Sequence, residues 1–168
     1  MYIVSGCLLG HNCKYNGGNN ANEEVIKFCE THRHVAVCPE RAGKLPTPRP
    51  PAEIRGPRVI NIEGKNVTEE FRIGAEISLN TALKLASLTG EKIEGAILKA
   101  NSPSCGSGVI YDGTFSGKLT GGNGMFTDKL IDACLEERAN PDIAAENRVF
   151  ADDFRICDEN HFMKVFGK

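Results

Sequence analysis

The chain has 168 residues, of which 40% are hydrophobic and 25% charged, a size and composition typical of one globular domain with a hydrophobic core. A formal net charge of -2, from 20 basic and 22 acidic residues, gives no electrostatic reason to expect nucleic acid or an anionic membrane as a partner, although recognition of a folded RNA by its shape stays open. No apolar stretch approaches the ~18 residues of a membrane helix, and the N-terminus lacks the pattern of a signal peptide, so we expect a cytoplasmic protein.

The first third of the chain predicts two short strands, a helix between them and a long loop. The strands lie at 2–5 and 34–37, and the second stops at Pro39. Asn22 is a typical helix cap, because two glutamates follow it in the positive first turn. The proline-rich stretch 41–58 has neither a helical nor a strand period, so we expect an irregular surface loop there.

The longest helix is predicted to begin at the capping residue Thr68 and to end at Gly90. Just before it, residues 59–67 predict a small hairpin that turns at Glu63 and Gly64. Along the helix an apolar residue recurs at every third or fourth position, which indicates one buried face. The residues of this stripe are Phe71, Ala75, Leu79, Ala82 and Ala86.

The second half of the chain predicts strands at 95–100 and 108–115, a glycine-rich turn, and a helix over 125–138. A short strand is expected at 148–150, whereas the remaining tail shows no readable pattern. Strands that alternate with helices indicate an α/β fold with a mostly parallel sheet flanked by helices. No repeat or domain boundary is visible, so we expect a single domain over residues 1–168.

Seven cysteines are many for a chain expected in a reducing compartment, where stable disulfides are rare. They point instead to metal, cluster or thiol chemistry. The chain has no Cys-x-x-Cys pair, which argues against a zinc ribbon and against a thioredoxin-like redox pair. We interpret Cys29, Cys134 and Cys157 as small buried hydrophobic residues.

Three other cysteines, Cys7, Cys38 and Cys105, each follow the carboxyl end of a predicted strand. Their neighbours are glycine, proline, serine and glutamate, which do not describe a core. In a parallel sheet these strand ends share one edge, where ligands bind. We therefore expect three thiols in one crevice. Cys13 lies six residues after Cys7 and is a candidate for a fourth ligand, a resolving thiol or a bystander.

Spacing alone leaves three kinds of site open. Iron–sulfur clusters are held by cysteine thiolates, usually four, so three would leave one iron open as a Lewis acid. Structural zinc also takes thiolates, but usually from closely paired ligands, and it would make the chain a zinc-stabilised binding domain. The third alternative is a metal-free thiol enzyme or redox sensor that uses Cys7 and Cys13.

Four stretches of the chain resemble, in order, the motifs of the bacterial domain of unknown function 523, or YbbK, family, which includes a thiouracil desulfidase. They read "SGCLLGHNCKYNGG", "VCPERAGKLPTPRPPAEI", "LKANSPSCGSGVIYDGTF" and "GGNG". The resemblance covers residues 2–127 and is weaker after 128. Lys14 and Asn16 depart from the more usual "CRYDG", and "AGKLPTPRPP" departs from "GGLPTPRPP". These departures leave the cysteines in place and bear on substrate fit.

The resemblance implies a Rossmann-like domain that holds a [4Fe-4S] cluster through Cys7, Cys38 and Cys105. It implies a non-redox desulfidase, in which the iron without a protein ligand takes the sulfur of a thionated nucleobase such as thiouracil. The expected partner is therefore a small-molecule thiobase rather than nucleic acid or a membrane. Such a cluster is easily lost or replaced when the protein is prepared in air.

The same resemblance places the acid/base carboxylate at Glu40 and a helping serine at Ser102. From the residues alone, Glu40 has the alternatives of capping a helix or pairing with Arg41. Ser102, in a Ser-Pro pair, has the alternative of satisfying backbone groups in a turn. Further candidate substrate contacts are Ser104, Arg49, Lys99 and Cys13.

Overall fold

The centre of the protein is a parallel β-sheet. The computed structural model describes residues 1–167, which contain eight strands, five α-helices and two short 3-10 turns. The strands are β1 (Tyr2–Ser5), β2 (His34–Val37), β3 (Ala52–Arg55), β4 (Arg58–Asn61), β5 (Ile93–Leu98), β6 (Val109–Tyr111), β7 (Leu119–Gly121) and β8 (Phe150–Asp158). The α-helices are α1 (Glu23–Thr31), α2 (Pro39–Ala42), α3 (Thr68–Thr89), α4 (Met125–Ala139) and α5 (Phe162–Phe166), and the 3-10 turns are Gly6–Leu9 and Ala145–Asn147.

Four strands form the main sheet in the order β2-β1-β5-β8, and every neighbouring pair is parallel. This arrangement confirms the predicted α/β class. Ser5 pairs with Val37, and Val4 pairs with Ile97, so β1, β2 and β5 end at nearly the same level. Their carboxyl ends share one edge of the sheet, where ligands bind in folds of this type.

Helices cover both faces of the sheet, which explains why its central strands are mostly apolar and buried. On one face Leu79 of α3 and Leu130 of α4 belong to the same buried cluster as Ile3. On the other face Val25 of α1 and Phe162 of α5 are buried in a second cluster. The predicted stripe on α3 is confirmed, because all five of its residues are buried.

The helix ends test the predicted caps. Asn22 caps α1 as predicted, since its side-chain oxygen accepts two backbone N–H bonds from the first turn. Gly90 ends α3 in the left-handed conformation, also as predicted. The prediction for Thr68 is wrong: it is the first residue of α3, and Val67 occupies the cap position. Asn66 instead accepts hydrogen bonds from the Thr68 amide and hydroxyl, at 3.0 and 2.6 Å.

The proline-rich stretch 41–58 is more ordered than its sequence predicts. It includes strand β3, which pairs antiparallel with β4. The hairpin predicted at 59–67 does turn at Gly64, but only one isolated bridge, between Ile60 and Asn66, forms across it. The regular ladder lies on the other side of β4, where it pairs with β3. The sequence did not predict β3, because neighbouring prolines obscure the strand pattern of Ala52–Arg55.

The strand predicted at 108–115 is also shorter in the structure. It ends at Tyr111 and pairs with β7, which lies inside the predicted glycine-rich turn. The chain turns at Gly113, whose φ is +89°. All three residues of β7 are exposed, so this strand has no apolar alternation by which it could be recognised.

The C-terminal segment, for which the sequence showed no clear pattern, supplies the fourth strand of the sheet. The strand predicted at 148–150 instead begins at Phe150 and continues to Asp158 beside β5. It is an edge strand in which Asp152 and Asp153 are exposed, and charges of this kind are common on edges. None of the helices within residues 1–167 has the length and apolar character needed to cross a membrane.

Candidate functional site

A cavity of about 560 Å³ opens at the carboxyl edge of the sheet, and four cysteines line it. Cys7 lies in the 3-10 turn that follows β1, and Cys38 directly follows β2. Cys105 lies in the loop after β5. Cys13 belongs to the loop between the first turn and α1 and lines the same cavity. The structure therefore brings together the three cysteines predicted to share a crevice and adds Cys13 to them.

Helix α2, which carries Glu40, is held in place by two glycines. A Cβ on Gly43 would lie 1.8 Å from the carbonyl oxygen of Glu70, and one on Gly74 would lie 1.8 Å from that of Pro39. Because no side chain fits there, α2 and α3 approach with their backbones in contact. This packing sets the position of Cys38 and Glu40 at the mouth of the cavity.

The loop around Cys105 is ordered by a serine and a glycine. The Ser102 hydroxyl oxygen accepts hydrogen bonds from the amides of Ser104 and Cys105, both at 3.2 Å. A Cβ on Gly124 would lie 2.4 Å from the carbonyl carbon of Ser104, so the start of α4 presses directly on this loop. The "GGNG" motif thus serves to seat the third cysteine.

Three of the four thiols of the cavity, Cys7, Cys13 and Cys38, form a hydrogen-bonded group. A hydrogen bond from the Cys13 thiol lowers the pKa of Cys7 and, to about 7, that of Cys38. The pKa of Cys13 itself is raised, because its proton is engaged by Cys38 and Cys7. Burial raises the pKa of Cys105 to about 12. Two of the four thiols are therefore predisposed to the thiolate form, which is the form that binds metal.

The remaining cysteines lie outside this cavity, as predicted. Cys29, Cys134 and Cys157 are all buried. Burial raises the pKa of Cys29 to about 11 and that of Cys157 to about 12. These thiols stay protonated at neutral pH and behave as small apolar side chains.

Glu40 is held by two hydrogen bonds from opposite sides. Arg49 Nε donates to Glu40 Oε2 at 2.6 Å, and the Ser104 hydroxyl donates to Glu40 Oε1 at 3.0 Å. The Ser102 and Ser104 hydroxyl oxygens are 3.0 Å apart. Because the single Ser104 proton is given to Glu40, Ser102 must be the donor between the two serines. A continuous path therefore runs from Ser102 through Ser104 to Glu40.

The two basic candidates are both tied to carboxylates. Arg49, not Arg41, is the partner of Glu40, and the Arg49 side chain is only 4% exposed. Its Nη2 donates to the carbonyl of Cys13 at 3.0 Å. Lys99 donates to Glu159, whose other oxygen accepts the amide N–H of Ala100 at 2.7 Å. Both bases line the cavity, and the contact of either with a substrate stays a prediction.

The structure adds several residues to the site that sequence reasoning missed. Asn20 Nδ2 lies 3.9 Å from Cys7 Sγ, and Lys14 holds the Asn20 amide oxygen at 2.8 Å. Glu53 and the ring of Phe115 also line the cavity. Glu53 and Phe115 lie within quoted motifs, so they could have been considered, whereas Asn20 and Glu159 lie outside every quoted stretch.

The donor set fits an iron–sulfur cluster in its chemistry. Cys7, Cys38 and Cys105 offer thiols from three separate segments to one cavity, and such clusters are held by thiolates. Within residues 1–167, no three His, Cys, Asp or Glu side chains converge as ligands of a single ion would. A four-iron cluster is larger than one ion, so its thiolates need not converge on a single point.

These features define a class of protein, an α/β domain with a thiol-lined site at the carboxyl edge of its parallel sheet. Comparison with known proteins gives the family. The family model of the 2-thiouracil desulfurases matches residues 2–140, so the chain belongs to that family. This result confirms the resemblance noted from the motifs.

Two relatives extend the comparison over nearly the whole chain. An uncharacterised protein of Bacillus subtilis (strain 168), YbbK, is 38% identical over 159 residues, which cover 89% of this chain and 97% of YbbK. A solved structure of the [4Fe-4S]-dependent thiouracil desulfidase TudS superposes with a TM-score of 0.75 at 36% identity. The match covers 97% of this chain and 93% of that one.

Proposed function

We propose that this protein is a [4Fe-4S]-dependent, non-redox desulfidase that removes sulfur from a thionated nucleobase of the thiouracil type. The observation that carries the proposal is the convergence of Cys7, Cys38 and Cys105 on one cavity beside Glu40. Membership of the desulfurase family and the likeness to TudS support it. The proposed substrate is a small-molecule thiobase, and the proposed location is the cytoplasm.

The three cysteines would hold the cluster, and Cys13 would share its one thiol proton between Cys7 and Cys38. Such a cluster would supply a Lewis acid for the C=S bond. Three ligands instead of four would leave one iron accessible from the cavity. Hydrogen bonds lower the pKa values of the Cys7 and Cys38 thiols, which favours the thiolate form that would bind the cluster.

The chain's own residues supply the proton transfer. Desulfuration replaces the thiocarbonyl sulfur by the oxygen of water, so both water protons must leave that oxygen as the C–S bond breaks: a base takes one, and the other reaches the sulfur, which departs as hydrosulfide. Glu40 is the general base, and the hydrogen bonds from Ser104 and Arg49 fix its orientation. Ser102 stands at the other end of the serine path and relays or orients a proton.

The test is anaerobic reconstitution with iron and sulfide, followed by a visible spectrum, iron and sulfide counts, and turnover of 2-thiouracil to uracil. About four irons and four sulfides per chain with uracil formation would support the proposal. A loaded protein that converts no thiobase would refute the activity. A protein that stays colourless after careful reconstitution would refute the cluster.

A second candidate is a metal-free thiol enzyme or redox sensor. The contact of the Cys13 thiol with Cys7 and Cys38, together with a Cys38 pKa of about 7, favours it. The same reconstitution separates the two functions. Thiol alkylation and peroxide reactivity in a chain that takes up no iron would support the thiol enzyme, whereas one bound zinc per chain would indicate the binding domain.

A further inference from the structure

Glu53 is a buried carboxylate that makes few contacts with the rest of the fold. It lies on β3, is 8% exposed and lines the thiol cavity. Its Oε2 accepts the backbone N–H of Phe115 at 3.0 Å, which is the one hydrogen bond that its side chain makes with residues 1–167. No ion pair within that range includes Glu53.

Burying a charge costs free energy unless the charge is paired, so an unpaired carboxylate in a cavity wall indicates a partner outside the chain. Holding the Phe115 amide requires only an acceptor, and the neutral side chain of glutamine would suffice. The second oxygen, Oε1, is not sealed in the protein interior without a partner, because the buried side-chain atoms that lack partners do not include it. Oε1 therefore keeps some exposure to solvent, and since Glu53 lines the cavity, a molecule bound there is a candidate partner for it.

The surroundings of Glu53 suit a planar ring. Tyr15, Tyr111 and Phe115 line the same cavity, and aromatic surfaces of this kind stack on heterocycles. The Phe115 loop is fastened to β3 a second time, because Arg55 donates to the carbonyl of Gly113 and lies 5.3 Å from the centre of the Phe115 ring. Glu53 and the Phe115 loop are thus held together where both line the cavity.

We propose that Glu53 is the residue that recognises the base, through a hydrogen bond from a ring N–H of the substrate to Glu53 Oε1. This inference rests on the proposed function. Thiouracils carry ring N–H groups next to the thiocarbonyl, and these groups need an acceptor when the base leaves water. A carboxylate accepts such a bond and donates none, so it selects a ring nitrogen that carries a proton.

The experiment uses the reconstituted protein and two measurements. The first is the dissociation constant of uracil, which has the ring N–H groups but no sulfur to lose. The second is kcat and KM for 2-thiouracil. Both are repeated with the 1-methyl and 3-methyl derivatives, each of which lacks one N–H donor. Glu53→Gln keeps an acceptor for Phe115, and Glu63→Gln, an exposed residue of the turn after β4, is the matched control.

We expect Glu53→Gln to raise the uracil dissociation constant and the thiouracil KM about 10- to 100-fold, with a smaller change in kcat. The wild-type protein should bind one methyl derivative more weakly by a similar factor, and the variant should lose this discrimination. The cluster spectrum and the Glu63→Gln protein should be unchanged. Uracil affinity and KM equal to those of the wild type in Glu53→Gln would overturn the inference.

The outcomes also separate this inference from the proposed function. If Glu53→Gln turns over 2-thiouracil as the wild type does, only the inference about Glu53 is overturned. Uracil binding that depends on Glu53 without any desulfuration would overturn the function alone. A protein that binds no base would overturn both. If Glu53→Gln fails to fold, the wild-type protein still decides, because equal affinity for uracil and both methyl derivatives would contradict recognition of an N–H.

Discussion

Arg49 and Glu40, nine positions apart on either side of a loop, form a short ion pair inside the cavity, with Arg49 Nε 2.6 Å from Glu40 Oε2. The arginine is almost wholly buried, and the carboxylate side chain is 16% exposed. Since the Ser104 hydroxyl bonds to the other oxygen, both Glu40 oxygens have fixed partners. This pairing gives the proposed general base one orientation rather than several.

Replacing Glu40 by glutamine should leave the cluster bound and lower kcat for 2-thiouracil about 10²- to 10⁴-fold, the usual contribution of general acid/base catalysis. Glutamine can still accept the Arg49 and Ser104 hydrogen bonds through its amide oxygen, so the site should keep its shape. The measurement is initial rate together with the visible spectrum. Loss of the chromophore in this variant would show that Glu40 supports the cluster and not proton transfer.

Ser104 is the link between Ser102 and Glu40, so Ser104→Ala should interrupt the proton path. We expect kcat to fall about 10- to 100-fold, the equivalent of one hydrogen bond to a charged group. Ser107→Ala, two residues beyond Cys105 and outside the path, is the control. If Ser104→Ala retains wild-type turnover, as the control should, the path from Ser102 to Glu40 has no role in catalysis.

Alanine at any one of Cys7, Cys38 or Cys105 should abolish the cluster absorbance after reconstitution, because two thiolates would remain for four irons. Cys134→Ala should keep full absorbance, since Cys134 is buried away from the cavity. We expect Cys13→Ala to keep the chromophore as well. Iron and sulfide counts check each variant, and full absorbance in one of the first three would remove that cysteine from the ligand set.

Gly74→Ala should destabilise the protein and disturb the cavity at the same time. The new methyl group would meet the carbonyl of Pro39, which forces α2 away from α3. Overpacking of this kind costs about 1–3 kcal/mol, and more when backbone atoms are involved. Urea unfolding measures the loss, and iron counts report on Cys38. Gly121→Ala is the control, because a Cβ there meets open space. If both variants lose the same free energy of unfolding, the close contact at Gly74 does not stabilise the protein.

Stability should fall at alkaline pH because buried acids resist ionisation. Burial raises the pKa of Cys157 and, together with Glu94, that of Tyr2, both to about 12. The unfolded chain releases these protons at lower pH, so it binds fewer protons between about pH 9 and pH 12, and the free energy of unfolding decreases as pH rises through this window. Below about pH 8 both forms are protonated and this contribution is fully present.

Cys157→Ala tests this prediction, because it removes one buried acid outside the cavity. At about pH 10.5 the thiol should account for about 2 kcal/mol of the loss relative to neutral pH. Urea unfolding of the reconstituted protein at neutral and alkaline pH gives the two slopes. We expect a shallower decline in the variant than in the wild type, and parallel declines would be inconsistent with a raised Cys157 pKa.

The sequence was informative wherever structure depends on near neighbours. The Asn22 cap, the Gly90 stop and the buried stripe of α3 were all predicted, because caps and helical periods are encoded within a few residues. It failed where tertiary pairing overrides local pattern. Thr68 resembles a cap, yet its hydroxyl accepts the amide N–H of Val59 in β4. Strand β7 pairs with β6 although all three of its residues are exposed.

The α/β class, the three cysteines that follow strands and the family were all predictable from motifs along the chain. The contacts between distant side chains were not. Ser104 and Glu40 are 64 positions apart, Phe115 and Glu53 are 62 apart, and Lys99 and Glu159 are 60 apart. Such contacts arise from how the glycine-mediated packing and the last strand position their segments, and no local pattern encodes those positions.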